Sequence, residues 1–252
     1  MGSDGVEMCR LSGALGVEVK GVDLGSTPIE AAATVLDLLH RHLLVVVRSQ
    51  DIDRAAHLAF AKKLGTPVVH PYHGDVGGDF PELLIMRSVR PIADFWHADE
   101  TFMDQPPDIC VLRIVRRPPV GGDTVWANQH LAYARLSGEF RRMVALLRCL
   151  HITPDGDRQT EHPLVRRHPV TGKLALYANR QFTRQVVGLG SSESQAVLDV
   201  LFQAAEHPDG QCRVAWEDGD VAIWDNRVTQ HRVIGDYTAC RHVERVAVRI
   251  QK

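Results

Sequence analysis

Two histidines and one aspartate are of the residue types that can hold a redox-active metal. His97 and Asp99 are separated by one residue, and in an extended segment such residues point to the same face. The best third ligand is His231. Two imidazoles and one carboxylate leave three positions of an octahedron open, as in non-haem Fe(II) oxygenases. These positions can admit a chelating co-substrate and dioxygen, whereas a closed four-ligand zinc site admits neither.

The His-x-Asp pattern alone is a weak indication, because the chain has 13 histidines and the pattern occurs three times. The copy at 207–209 is followed by Gly210 and is typical of a helix end and a turn. The copy at 73–75 lies in a glycine-rich loop. The copy at 97–99 follows Phe-Trp and precedes Thr-Phe, so aromatic residues flank it. We therefore interpret 97–99 as the metal-binding copy.

Three separated segments resemble one known family when they are taken together and in order. They are residues 96–102 (WHADETF), 121–126 (GGDTVW) and 224–231 (WDNRVTQH). They resemble the taurine dioxygenase (TauD/TfdA) family, and the resemblance runs through nearly the whole chain, including GVDL at 21–24 and HPVTGK at 168–173. It implies an α+β fold, with a double-stranded β-helix (jelly-roll, cupin-like) core and flanking helices, in one domain over residues 1–252.

The resemblance assigns iron and 2-oxoglutarate to particular residues of this chain. The implied iron ligands are His97, Asp99 and His231. Thr124 and Arg241 match residues that bind 2-oxoglutarate. The chemistry agrees, since an arginine offers a planar fork of donors that can hold a carboxylate at two points.

A second arginine is implied to bind the substrate. Arg245 matches the residue that holds the anionic group of the substrate in the sulfonate enzymes. Arg241 and Arg245 are four residues apart, so on one strand they share a face, while His242 and Glu244 are predicted to face outward. Further substrate contacts are implied for four residues, namely His70, Tyr72, Phe182 and Trp224.

The implied activity is that of an Fe(II)- and 2-oxoglutarate-dependent dioxygenase, an oxidoreductase. It would use O2 to hydroxylate a C–H bond of a small anionic substrate, a sulfonate, sulfate ester or carboxylate, releasing succinate and CO2. Departures from the family pattern argue against taurine itself. Ala93 stands where the taurine enzymes carry asparagine, and Tyr72 comes one position earlier than the family tyrosine. The segment 150–163 is polar and shorter than in typical relatives, and we predict that it replaces a lid over the site.

Two other classes of function stay open from the residues alone. A non-catalytic, cupin-like metal-binding or sensor protein would keep the metal ligands without needing 2-oxoglutarate. A zinc hydrolase could use the same three ligands, but it has no clear use for Arg241, and no convincing general-base glutamate adjoins the ligands.

The composition excludes several classes of protein. Of the 252 residues, 44% are hydrophobic and 24% charged, which is typical of a globular protein rather than a disordered one. The formal net charge of −2 argues against nucleic acid as a partner. No apolar run is long enough for a membrane span, and no signal peptide is visible. The five cysteines form no CxxC pair. We expect a cytoplasmic protein with a small-molecule substrate, and a homo-oligomer remains possible.

Hydrophobic periodicity predicts helices on the outside of a β-sandwich. Helices are expected from a Thr27–Pro28 start to about His42, over 54–64 with Gly65 as the stop, over 131–147 and over 193–207. Short strands separated by turn signals are expected between 83 and 250.

Overall fold

The computed structural model describes residues 7–26, 29–71, 76–90 and 93–250. Three features of the sequence analysis fall outside these ranges: the Thr27–Pro28 helix start, Tyr72, and the His-x-Asp copy at 73–75. Within the described ranges, the chain alternates short strands with five α-helices, so the α+β prediction is confirmed.

The strands and helices follow one another in a chain order that places three of the five described helices between strands of different sheets. The strands are β1 Glu7–Arg10, β2 Val17–Lys20, β3 Leu44–Val47, β4 Thr66–Val68, β5 Val76–Gly77, β6 Phe80–Ser88, β7 Ile109–Arg116, β8 Thr124–Asn128, β9 Arg148–Ile152, β10 Gln159–Pro163, β11 Val165–Arg167, β12 Leu174–Leu176, β13 Thr183–Val186, β14 Gln211–Val214, β15 Val221–Asp225, β16 Thr229–Val233 and β17 Arg241–Arg249. The helices are α1 Ile29–His42, α2 Arg54–Leu64, α3 Gln129–Arg135, α4 Gly138–Val144 and α5 Ser191–Ala205, with a 3-10 turn at Pro208–Gly210.

Two sheets enclose the centre of the molecule. The major sheet has the order β1-β2-β3-β15-β7-β17-β6-β5, and β4 also pairs with β17. Its neighbours are antiparallel except for β2 and β3, which are parallel. The minor sheet has the order β14-β8-β16. Smaller sheets, β10-β9-β13 and β11-β12, lie with α3 and α5 around a separate apolar cluster.

Side-chain alternation along the major sheet divides the core in two. On β7, Ile109 and Val111 pack in the cluster that includes α1 and α2, whereas Cys110 and Leu112 pack in the cluster that includes Trp126 of the minor sheet. The β17 strand alternates in the same way: its even positions Val246 and Val248 face the helices. The strand therefore turns its odd positions, which include both candidate arginines, toward the space between the sheets.

The prediction that Glu244 faces outward is wrong, because its side chain is buried. The side chain does point away from the two arginines, but that face of β17 is covered, and Glu244 is only 1% exposed. It accepts hydrogen bonds from Arg54 at the start of α2 (Nε to Oε1, 2.9 Å) and from Arg113 of β7 (Nη2 to Oε2, 2.7 Å). His242, beside it, is also mostly covered. Alternation places Glu244 on the face opposite the arginines, and α2 covers that face.

One helix prediction needed correction, and the Gly65 stop of another is confirmed. The segment 131–147 forms two helices, because the chain is extended at Leu136 (ψ 144°) and Ser137 then caps α4 by accepting a hydrogen bond from the Phe140 N–H (3.3 Å). Gly65 does end α2, but at φ 168° its backbone is extended. Glycine is needed there because a Cβ would lie 2.5 Å from the carbonyl oxygen of Arg249. In the described part of the chain, the helices are all too short or too polar to cross a membrane.

We predict that His57 makes the fold sensitive to acid. The imidazole is fully buried on α2 and its Nε2–H donates to the Val111 carbonyl (3.1 Å). Burial lowers the pKa of His57 from 6.5 to about 4. Between these two pH values the unfolded chain takes up a proton that the folded chain does not. The free energy of unfolding should therefore decrease by about 1.4 kcal/mol from this group for each unit by which the pH is lowered.

Urea unfolding between pH 6.5 and 5 measures this contribution. His57→Gln keeps a donor for Val111 but cannot titrate, so its unfolding free energy should fall less steeply with pH than that of the wild type. The half-exposed His207, changed to Gln, serves as the control and should keep the wild-type slope. Equal slopes for wild type and His57→Gln would contradict the assignment.

Candidate active site

A two-residue backbone bridge brings the two candidate histidine ligands together. The N–H of His97 donates to the carbonyl of His231 (3.0 Å), and the N–H of His231 donates to the carbonyl of His97 (2.7 Å). This isolated antiparallel bridge places the imidazole centroids 4.2 Å apart. The Nδ1–H of His97 donates to the Phe95 carbonyl (2.8 Å), which leaves its Nε2 available as a ligand.

Asn226 fixes the backbone that carries Asp99. Its side-chain oxygen accepts from the Asp99 N–H (2.8 Å), and its amide donates to the carbonyls of Asp99 (3.0 Å) and Pro107 (3.0 Å). The Asp99 carboxylate accepts a bond from the Cys110 thiol (3.2 Å) and forms an ion pair with Arg245. Its position is therefore set by groups from three different segments.

The three side chains form a group that can hold a metal ion. One ligand atom from each of His97, Asp99 and His231 lies within 4.8 Å of the others, and all three residues are buried. Burial lowers the pKa of both histidines, so their imidazoles are neutral and can coordinate. Burial would raise the pKa of Asp99, but the positive charge of Arg245 outweighs this effect and lowers the pKa, so the carboxylate is ionised. The buried Nδ1 of His231 has no hydrogen-bond partner among the described residues. This donor set fits a divalent cation.

A second group of the same residue types serves a different purpose. His40, His168 and Asp225 also lie within ligand distance of one another. However, Asp225 accepts two bonds from the Arg227 side chain (2.8 and 2.5 Å) and one from His168 (2.9 Å). Because its lone pairs are taken by an arginine, a cation is disfavoured here, and the group instead holds the 168–173 hairpin against the WDNR segment.

Six of the predicted binding residues line one cavity beside the three candidate ligands. The cavity has a volume of about 170 Å³ and lies between the two sheets. The predicted residues in its wall are His70, Thr124, Phe182, Trp224, Arg241 and Arg245. The Phe182 ring meets His97 edge-on at 6.5 Å, and the Trp224 ring lies 4.8 Å from that of His231. The structure does not describe Tyr72, so its predicted contact remains a prediction.

Arg241 is held in place by the 121–126 segment. Its Nε–H donates to the Gly122 carbonyl (3.1 Å), and its Nη2 donates to the Thr124 hydroxyl (3.2 Å), which also accepts from Trp216 (3.1 Å). Gly122 has φ 75°, and a Cβ there would lie 2.8 Å from a ring carbon of Pro118. Burial lowers the pKa of Arg241 to about 10, yet it stays charged near neutral pH and has Nη1 left for an anion.

Arg245 is bound by two carboxylates, one of which sequence reasoning missed. It pairs with Asp99 and, through Nη2, with Oε1 of Glu100 (2.7 Å). Glu100 is 3% exposed, lines the cavity, and its Oε1 lies 3.7 Å from Nε2 of His70. Burial raises the pKa of Glu100 to about 7, with Arg245 opposing the shift and Asp99 adding to it.

The backbone at Glu100 explains why it was missed. Strict alternation after Asp99 directs residue 100 away from the site, but Glu100 has φ 56°, in the left-handed region. The chain turns there, so consecutive carboxylates reach the same cavity. Adjacency to Asp99 was the only signal in the sequence, and the hydrogen-bonding Cys110 and cavity-lining Trp126 carried none beyond those of ordinary strand residues.

The segment 150–163, which we predict to replace a lid, does not line the cavity. The segment is mainly the β9–β10 hairpin, and none of its residues is in the described wall of the cavity. It supports the loop that carries Asp99 from behind: His151 Nδ1 hydrogen-bonds the Thr101 hydroxyl (2.8 Å), and His162 Nε2 donates to the Thr101 carbonyl (2.9 Å). The polar residues of this hairpin therefore position the loop rather than cover the site.

Comparison with known proteins agrees with this architecture. The family model described as "Taurine catabolism dioxygenase TauD, TfdA family" matches residues 9–247, so the chain belongs to this family. An alpha-ketoglutarate-dependent sulfate ester dioxygenase of Pseudomonas putida is 35% identical, over 94% of this chain and 87% of the relative. An alkylsulfatase of Acinetobacter baylyi is 33% identical, over 92% and 81%.

A solved structure agrees in three dimensions. The crystal structure of a taurine dioxygenase from Burkholderia xenovorans superposes with a TM-score of 0.88 at 36% identity, covering 96% of this chain and 90% of that one. The predicted jelly-roll fold is thus confirmed. Family membership also confirms the predicted enzyme class, an oxidoreductase of the dioxygenase type, with Fe(II), 2-oxoglutarate and dioxygen as its cofactors. The sensor and zinc hydrolase alternatives gain no support.

We predict that Asp99→Ala weakens Fe(II) binding by on the order of 100-fold or more, because the only carboxylate of the ligand group is lost. Anaerobic Fe(II) titration measures this loss. Asp209→Ala removes the aspartate of another His-x-Asp copy, whose side chain is 75% exposed, and should leave binding unchanged. If the Asp99→Ala protein has the native circular dichroism spectrum and still binds Fe(II) with wild-type affinity, this ligand group is ruled out.

Proposed function

We propose that this enzyme oxidises a C–H bond of a small organic sulfate ester or sulfonate, with 2-oxoglutarate as co-substrate. Iron would be held by His97, Asp99 and His231, and the products would include succinate and CO2. The observation that carries the proposal is the pairing of a three-ligand group with two buried arginines, Arg241 and Arg245, in the wall of one cavity. Relatives named for sulfate ester substrates support the choice of anion.

The residues of the cavity have two proposed roles, which are to bind the substrates and to exclude water. The iron, when bound, supplies the redox chemistry of the reaction. Arg241 and the Thr124 hydroxyl offer donors for the distal carboxylate of 2-oxoglutarate, and Arg245 offers its guanidinium to the anionic group of the substrate. Phe182 and Trp224 provide an apolar wall that excludes water and positions the carbon chain.

An oxygen-uptake screen with Fe(II) and 2-oxoglutarate tests the proposed substrate class. Small alkyl sulfates, sulfonates, phosphonates and carboxylates are compared by the succinate formed per O2 consumed. We expect substrate-dependent succinate with sulfates or sulfonates, accompanied by release of sulfate or sulfite when the oxidised carbon carries that group. Turnover confined to uncharged compounds or to carboxylates would contradict the substrate class.

We predict that Arg241→Ala raises the 2-oxoglutarate concentration needed for half-maximal activity by roughly one to three orders of magnitude. The reason is the loss of a buried charge-assisted contact worth about 2–4 kcal/mol. Steady-state succinate formation at varied 2-oxoglutarate measures it. The exposed Arg142, changed to Ala, is the matched control and should retain the wild-type requirement. An unchanged requirement in Arg241→Ala would remove this arginine from 2-oxoglutarate binding.

A further inference from the structure

The ion pair between Glu100 and Arg245 leaves one acceptor and one donor unsatisfied in the wall of the cavity. Oε2 of Glu100 and Nε of Arg245 are both buried, and neither has a hydrogen-bond partner within the part of the chain that the structure describes. Both residues line the cavity beside the candidate iron ligands. Buried polar atoms are normally paired, and leaving them unpaired is unfavourable, so the two atoms indicate a ligand that satisfies both.

Glu100 also changes which anions the cavity can accept. Its Oε1 occupies one edge of the Arg245 guanidinium (2.7 Å), and Asp99 occupies another. A substrate whose only polar group is an anion would bind Arg245 next to the buried Glu100 carboxylate. The repulsion from this carboxylate would offset much of the attraction to Arg245, so the net binding free energy would be small. A substrate that adds a hydrogen-bond donor turns the same carboxylate from a repulsive neighbour into a partner.

We propose that Glu100 is a specificity-determining residue that accepts a hydrogen bond, through Oε2, from a hydroxyl or ammonium group on the substrate. Arg245 binds the anionic group of the same molecule. This inference rests on the proposed function and narrows it: the substrate is an organic sulfate ester or sulfonate that carries a donor group, rather than a plain alkyl anion. His70, 3.7 Å from Oε1 of Glu100, lies on the other side of the carboxylate.

Three probes of equal chain length separate the contribution of the donor group to binding from that of the anionic group. They are propanesulfonate, its terminally hydroxylated analogue and its terminally aminated analogue. Their dissociation constants are measured anaerobically at pH 8 by isothermal titration calorimetry on wild-type protein loaded with Fe(II) and 2-oxoglutarate. We expect at least one donor-bearing probe to bind ~10-fold or more tightly than propanesulfonate, since a hydrogen bond to a charged group is a strong one.

Substitution of Glu100 should remove this preference. In Glu100→Gln, we expect the donor-bearing probe to lose its advantage to within ~3-fold, while propanesulfonate binds as in the wild type or more tightly. Glu100→Asp retains the charge, tolerates the left-handed backbone and withdraws the oxygen, so it should reduce the preference as well. The control Glu217→Gln removes a carboxylate that is 69% exposed and should keep the preference intact.

Several outcomes would overturn the role of Glu100. They are equal binding of all three probes by the wild type, failure of both donor-bearing probes to bind, or retention of the full preference in Glu100→Gln. Should Glu100→Gln not fold, as judged by circular dichroism, a full preference in Glu100→Asp would overturn it.

The visible absorption band formed when 2-oxoglutarate is added to the Fe(II) protein is recorded in the same samples. A band without the probe preference overturns the role of Glu100 alone. If the wild type forms no band, the proposed function fails, and the probe preference still decides whether Glu100 recognises the donor.

Discussion

The pair of backbone hydrogen bonds between His97 and His231 is the interaction on which the rest of the site depends. It joins the loop that carries His97 to β16 of the minor sheet, although the two histidines are 134 positions apart in the chain. Side chains of directly paired residues in an antiparallel ladder lie on the same side, so the bridge places the two imidazoles next to each other. A shift of one residue in this register would turn one imidazole to the other face.

The second constraint is electrostatic. The cavity buries Asp99 and Glu100 next to each other, and two carboxylates in an apolar environment require positive charge close by. Arg245 supplies that charge from β17, whose position is in turn fixed on the opposite face by the bonds that Glu244 accepts from Arg54 and Arg113. The helix α2 thereby contributes to the position of the strand that carries both candidate arginines, although none of its residues lines the cavity.

The sequence allowed prediction of those parts of the site that follow from motif order and strand alternation. The shared face of Arg241 and Arg245 was predicted from alternation, the group His97, Asp99 and His231 from residue types and the family resemblance, and the jelly-roll core from that resemblance. Glu100 could not be, because its place in the cavity depends on a left-handed backbone conformation that a glutamate does not signal. Which faces are covered also could not be read from alternation: the Glu244 side of β17 carries charged residues, yet it lies under a helix.

The hairpin at 150–163 shows a similar limit. Its polar composition is typical of an exposed lid, but His151 and His162 are buried and hydrogen-bonded to Thr101 in the loop that carries Asp99. Composition indicates exposure only on average, since a buried polar group that is fully hydrogen-bonded is well tolerated. Tertiary contacts, and not local pattern, decided the role of this segment.

Anomalous X-ray diffraction from crystals grown with Mn(II) and 2-oxoglutarate tests the central claim most directly. The account predicts one strong anomalous peak between the two sheets, with His97, Asp99 and His231 as its only protein ligands and the remaining positions open to 2-oxoglutarate and solvent. A fourth protein ligand, such as the Cys110 thiolate or the Glu100 carboxylate, or a peak at another location, would contradict it.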